Sequence, residues 1–265
     1  MVVRYSEWLA LGFFVWLAAS GLLCRLPPGR RRQIVGGGTG LSIAVVAMAR
    51  LGQVPWRDWM PVLYILVGYF LSGRLFVSPS SRLEGWLTGW DERLLGDPPA
   101  RFSRWPRPLL AYLDIIYIFC FVLMPGGFAV LVWTGHAALA DRYWTMVGAA
   151  EFGAFAPLAL VQTRPPWALE RARVVDDALV HHAASIFVRH GTIGANTFPS
   201  GHVGGSLAVA LVVIGVEPVA GTVLLALAAS IAVACVVGRY HYVIDVVAGA
   251  ALALLAWGAV ALMGV

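Results

Sequence analysis

The chain has 265 residues, of which 60% are hydrophobic and only 12% charged, and its mean hydropathy is +0.78. A soluble domain of this length does not carry so little charge. The formal net charge is +5 and all 19 basic residues are arginine, but they are scattered between apolar runs instead of forming one basic face, which argues against nucleic acid as a partner and for an integral membrane protein.

A membrane-spanning helix needs about 20 apolar residues. Runs of that order, bounded by charge, Pro or Gly, fall at residues 8–24, 34–50, 59–77, 108–133, 142–163, 202–217, 219–238 and 242–264. The pattern predicts an all-α, polytopic transmembrane helix bundle of about eight spans. No small-residue cleavage site follows the first run, and Arg25 and Arg30-Arg31-Arg32 come next, so it reads as a span and not a cleaved signal. The run at 34–50 is short and opens on Gly36-Gly37-Gly38, which makes it the least secure of the eight. Glu217-Pro218 leaves room only for a tight turn between the sixth and seventh runs. Cys24, Cys120 and Cys235 all lie in or at the end of apolar runs without metal-ligand spacing and read as packing residues.

Two polar stretches interrupt the spans. Residues 78–107 mix Arg82, Glu84, Asp91, Glu92 and Arg93 with Trp86, Trp90 and Trp105, the composition of an amphipathic helix lying at the membrane surface. Residues 164–200 carry Arg171, Arg173, Asp176, Asp177, His181, His182, Arg189 and His190, a length and polarity that suit a lid or headgroup-binding element. The three histidines lack a fourth ligand at zinc-like spacing, so a solvated lid is expected there and no metal. The chain therefore divides into N-terminal spans (1–77), an interfacial segment (78–107) and a second membrane domain (108–265), in which the candidate catalytic residues fall. With an even number of spans, most arginines fall on the side of the first, third, fifth and seventh connections, which the positive-inside rule places in the cytoplasm.

Three elements on that side carry chemistry. In Pro199-Ser200-Gly201-His202, Pro breaks the preceding chain, Ser caps a helix start and Gly admits a ligand close to the backbone. Free amides at a helix N-terminus bind anions, and His202 in the first turn is placed to protonate a departing oxygen. An ordinary helix start with an interfacial His is the alternative. In Arg239-Tyr240-His241-Tyr242-Val243-Ile244-Asp245, the four-residue spacing puts His241 and Asp245 on one face if the segment is helical, so that the carboxylate orients the imidazole. Arg239 is a bidentate phosphate ligand in that reading; in the alternative it pairs with Asp245 while His241 snorkels. Gln162-Thr163-Arg164-Pro165-Pro166-Trp167 ends the fifth run and leaves Arg164 at the same surface, as a phosphate ligand or a plain anchor. Asp114 and Glu151, ionisable groups within spans, are candidates for lining a substrate cavity, and for Asp114 a buried hydrogen bond to Tyr117 or another residue is an equal alternative.

Arg164-Pro165, Pro199 to His202, and His241 with Asp245 together resemble the motifs of the type 2 phosphatidic acid phosphatase superfamily, related to vanadium haloperoxidases, over roughly residues 108–264. Two positions depart from the pattern: the family's Lys would fall at Pro157 and its Ser-Arg at Ala234-Cys235. Arg239, two residues before His241, makes the segment look like the branch containing sphingomyelin and inositol phosphorylceramide synthases and many bacterial lipid phosphatases. The resemblance implies a six-helix catalytic core and a metal-independent, cofactor-free phosphoryl transfer from a lipid phosphate through a phosphohistidine. It implies His241 as nucleophile, Asp245 as its orienting carboxylate and His202 as acid and base. The phosphate ligands it implies are Arg164, Arg239 and the amides around Ser200 and Gly201. Water as acceptor makes a lipid phosphatase, and a lipid hydroxyl a headgroup phosphotransferase. The expected location is a bacterial plasma membrane. The resemblance favours the extracytoplasmic side for the site, whereas the arginine distribution favours the cytoplasm. Oligomeric state is not legible.

Overall fold

The structure, a computed structural model, describes residues 3–52, 54–169 and 192–264. The segment carrying His181, His182 and His190, expected as a lid, lies outside the described residues. The fold is all-α and contains no strands among the described residues. Among the described residues eleven helices follow in order: α1 (Tyr5–Leu23), α2 (Pro28–Arg50), α3 (Met60–Ser72), α4 (Ser81–Leu95), α5 (Pro98–Phe102), α6 (Arg107–Trp133), α7 (Ala140–Phe155), α8 (Pro166–Leu169), α9 (Gly201–Ile214), α10 (Pro218–Val237) and α11 (Val243–Leu262).

Every expected apolar run is helical, but the runs are not equal. Helices α1, α2, α6, α10 and α11 are long and apolar enough to cross a membrane. The other three, α3, α7 and α9, are shorter; 14 residues of α9 rise only about 21 Å against a hydrocarbon core of about 30 Å. Of these, α7 is buried on nearly every face and ends at Phe155, two residues before Pro157, where a 3-10 turn begins. Helices α7 and α9 are shielded by neighbouring helices over much of their surface, so lipid thickness does not dictate their length.

Small residues set how closely the long helices approach, as is usual where lipid removes the hydrophobic drive to pack. The insecure second run is a full helix of 23 residues. One of its glycines serves the contact with α1: a Cβ on Gly38 would lie 2.8 Å from the Phe14 carbonyl oxygen. Gly221 similarly lets α10 fold back on α9, since a Cβ there would meet Ile214 backbone at 2.2 Å.

The two ends of the bundle differ. At one end, Glu7 takes two 2.7 Å bonds from the buried Arg57, and Asp141 accepts from the Tyr5 and Ser6 amides. The other end gathers the end of α3, the polar helix α4, the Gln162–Trp167 segment and the starts of α9 and α11, and it holds the three sequence elements singled out above.

Candidate active site

Two helix starts and one turn build this end. Ser200 is the N-cap of α9, its Oγ accepting from the Val203 amide at 3.5 Å, and the preceding Phe198–Pro199 peptide is cis. The strand of chain leading into it pairs with the end of the fifth run, Asn196 N donating to Thr163 O at 2.8 Å. Ser200 N then donates to the Asp245 carbonyl at 3.0 Å. This crossing needs Gly249, where a Cβ would sit 2.4 Å from the Ser200 carbonyl oxygen. Between α10 and α11 the chain reverses through Arg239, a non-glycine residue at φ 58°, in the region that L-residues occupy sparingly. Tyr240 N and His241 N both donate to the Cys235 carbonyl, closing the end of α10.

That reversal alters one expectation. His241 precedes α11 instead of lying in it, so it does not share a helical face with Asp245. The two meet because Asp245 is the third residue of α11 and its Oδ2 folds back to accept from the Tyr242 amide at 3.0 Å. His241 Nδ1 lies 3.4 Å from that same Oδ2. The contact is electrostatic, not a directed hydrogen bond, for His241 Nδ1 and Asp245 Oδ1 make no hydrogen bond among the described residues. On its other side, His241 Nε2 faces His202 Nδ1 at 3.4 Å.

Aromatic rings hold the pair. Tyr117 stacks on His202 with centroids 4.8 Å apart and on Tyr240 at 3.8 Å, and Phe121 meets the His202 ring edge-on at 5.5 Å. Tyr240 donates to Asp114 at 3.2 Å, so Asp114 makes the buried hydrogen bond weighed as its alternative role, with Tyr240 as partner. Tyr117 and Phe121 stand four apart on α6, a spacing visible in the sequence but one that any core helix also shows.

The structure brings His241, His202, Asp245, Ser200 and Gly201 together. It places the side chains of Arg164 and Arg239 at the margin, each on a carboxylate from α4. Arg164 presents Nε and Nη2 to Glu84 at 2.9 and 2.8 Å; Arg239 Nη1 donates to Asp91 at 2.7 Å. Both carboxylates are buried. Hydrogen bonds from Arg164 hold the Glu84 carboxyl below the ordinary carboxylate range, whereas burial pushes Asp91 up despite the Val243 amide and Arg239. Helix α4 has the exposed Trp86 expected of a surface helix, yet Glu84, Leu87 and Asp91 form an inward stripe that binds the site's cations. The spacing of seven between two acids was the available signal for it.

Comparison with protein families matches residues 85–259 to the PAP2 superfamily. The chain belongs to the PAP2 superfamily. The match starts within α4, upstream of the residue 108 at which the motif resemblance begins, and takes in Asp91 as well as both histidines. No curated protein and no solved structure matches the chain. Membership supports a phosphatase-type phosphoester hydrolase or a related activity, and the apolar helices and the family together fit an integral membrane protein.

Two cavities meet at His202. A small one of about 20 Å³ is lined by His202, His241, Tyr117, Tyr240 and Trp167 among others. A larger one of about 240 Å³ is lined chiefly by apolar side chains of α3, α6 and α7, with His202, Glu151, Thr197 and Ser206 as polar members. Glu151, an expected cavity residue, is thus in a cavity wall. Tyr69, Thr197 and His202 border both spaces.

Proposed function

We propose that this PAP2-superfamily chain is a membrane-embedded lipid phosphate phosphatase that works through a phosphohistidine. The observation that carries the reading is the row Asp245 Oδ2, His241 Nδ1 and Nε2, His202 Nδ1, with successive contacts of 3.4 Å between residues. A carboxylate behind one imidazole and a second imidazole in front supply an oriented nucleophile and an acid at one spot.

In the first step His241 Nε2 attacks phosphorus; the N–P bond forms, the P–O bond to the lipid breaks, and His202 gives its proton to the leaving alkoxide. In the second, His202 takes a proton from water, the water oxygen attacks phosphorus, and the N–P bond breaks to release phosphate. Amides of Gly201 and His202 at the start of α9 face developing negative charge. Arg164 adds to this through the guanidinium edge that Glu84 does not use. Arg239 is the second cation of the site, with Asp91 holding its side chain. A phosphoryl group cannot fit between nitrogens 3.4 Å apart, so turnover requires the two rings to part, and His241, carried on a turn, is the ring not fixed within a helix.

A second reading, transfer of the phosphoryl headgroup to a lipid hydroxyl, is favoured by Arg239 standing two residues before His241. Radiolabelled lipid phosphate separates the two. Label recovered as inorganic phosphate supports hydrolysis; label recovered only in a second lipid overturns it in favour of transfer.

A further inference from the structure

The larger cavity contains one group that the phosphoryl chemistry leaves unused. Glu151, on α7, is 4% exposed, and it makes no hydrogen bond or ion pair among the described residues. Its carboxyl lies in a slot that α9 leaves by having glycine at two positions one turn apart: a Cβ on Gly205 would fall 1.8 Å from Oε1, and one on Gly201 would fall 3.0 Å from Oε2. Gly201 and Gly205 directly precede His202 and Ser206, which line the cavity with Glu151. The carboxyl therefore lies against α9 beside the residue positions of the proposed acid, in the cavity that His202 lines and His241 does not.

An unpartnered carboxyl inside an apolar bundle is costly unless a ligand completes it. Pockets of this type bind the apolar body of a ligand with their walls and fix its orientation with the few polar groups present. In the mechanism above, His202 protonates the oxygen that leaves phosphorus, so the alcohol half of the substrate lies beside His202. From the leaving oxygen it runs into the space bordered by both His202 and Glu151.

We propose that this cavity binds the alcohol half of the lipid phosphate, and that Glu151 selects alcohols carrying a hydroxyl within a few atoms of the phosphoester oxygen. The class is that of lipid phosphates whose alcohol keeps a free hydroxyl near the phosphoester oxygen, such as monoalkyl glycerol phosphates, as against plain hydrocarbon or isoprenyl phosphates. A purely hydrocarbon alcohol leaves the Glu151 oxygens facing methylene groups; a vicinal hydroxyl gives them a partner, with Ser206 one helical turn beyond His202 as a second. This assignment rests on the phosphatase reading for the direction of the alcohol. Rejection of a ligand that strands a buried polar group is the stronger form of selectivity available to a binding site.

The test uses the full chain purified in detergent and two matched substrates, 1-O-dodecylglycerol 3-phosphate and 3-(dodecyloxy)propyl phosphate, which differ by one hydroxyl. Wild type should release phosphate from the hydroxylated substrate with a kcat/KM about 10-fold or more higher. Glu151→Met, apolar and of similar length, should cut that ratio to about 2-fold or less, mainly by raising KM for the hydroxylated substrate. Glu151→Gln, which keeps a hydrogen-bonding group, should preserve most of the ratio. Equal wild-type rates on the two substrates, or an unchanged ratio in Glu151→Met, overturn the assignment.

A second measurement reads the cavity without turnover. 1-O-Dodecylglycerol should raise the melting midpoint of wild type more than 3-(dodecyloxy)propan-1-ol does, and this difference should vanish in Glu151→Met. Equal shifts in wild type overturn the proposal. Absence of phosphate release with a retained difference in shift overturns the phosphatase reading alone.

Discussion

Asp91 of α4 binds Arg239 and the start of α11 with its two oxygens: Oδ2 accepts from Arg239 Nη1 at 2.7 Å, and Oδ1 accepts from the Val243 amide at 2.9 Å. Both side chains of the ion pair are buried. One carboxylate thus sets the exit of the turn carrying His241 and caps the helix that carries Asp245.

Removing one member of a buried ion pair costs about 3–5 kcal/mol, more than the pair contributes over an apolar replacement. Asp91→Ala should therefore lower the melting midpoint in detergent sharply and abolish phosphate release. Asp91→Leu combined with Arg239→Met should recover stability without recovering activity. A single substitution with no change in melting would show that α4 does not support the turn.

The Glu84–Arg164 pair makes a pH prediction of defined sign. Arg164 holds the folded-state carboxyl of Glu84 below its ordinary value, so the pair stabilises fully above the usual Glu range, near about 4.3, and loses its effect as pH falls through the lower folded value. Asp91 runs the other way: burial raises its folded value, so the proton-linked part of its effect favours folding at low pH and fades as pH rises through that value, while the ion pair and the Val243 bond persist. Comparing wild type with Glu84→Gln isolates the first effect. The Arg164 side chain is 42% exposed, and solvent screening keeps the pair to about 1 kcal/mol or less. The variant should melt lower than wild type at pH 6 and converge with it as pH falls below the ordinary Glu range and through the lowered folded value. A constant gap across that range contradicts the assignment.

Gly249 tests the crossing of α9 and α11. Alanine there brings a Cβ within 2.4 Å of the Ser200 carbonyl, a backbone atom that cannot rotate away, whereas a Cβ on Gly258, further along the same helix, meets nothing within 4 Å. Gly249→Ala should reduce kcat about 100-fold by moving the Ser200–His202 segment relative to His241. Gly258→Ala should leave activity within about 2-fold, with a small gain in helix stability. Equal activity in the two variants would remove the crossing from the site's construction.

Asp245→Asn keeps shape but removes the negative charge beside His241. The expected result is a fall in kcat of about 100-fold to 10,000-fold with a smaller change in KM. His241→Ala should abolish turnover while the protein stays folded, and full activity in that variant would eliminate His241 as nucleophile.

The arginine distribution makes a prediction about sidedness. Arg4, Arg50, Arg57 and Arg142 lie toward the end opposite the site, and most other arginines lie toward the site end. On the positive-inside rule the site end is cytoplasmic. After the three cysteines are replaced, Ser103→Cys at the site end should resist a membrane-impermeant thiol reagent on intact cells, and Thr134→Cys at the far end of α6 should react. The reverse pattern places the site outside.

What the sequence determined by itself was the membrane class, the positions of the apolar helices and the residues of the two-histidine row. These follow from local regularities: apolar run length, a helix-capping Ser before Gly and His, and an Asp close enough along the chain to reach His241 from any turn. The tertiary structure decided what depends on distant partners. It showed that α3, α7 and α9 are short and that neighbouring helices shield α7 and α9. It took His241 off the helix through the reversal at Arg239, and it assigned Arg164 and Arg239 to acids some 80 and 148 residues away in the chain. It also placed Glu151 in a glycine slot on α9. No periodicity encodes these pairings, because each joins segments far apart in the chain whose approach is set by the packing of the helices between them.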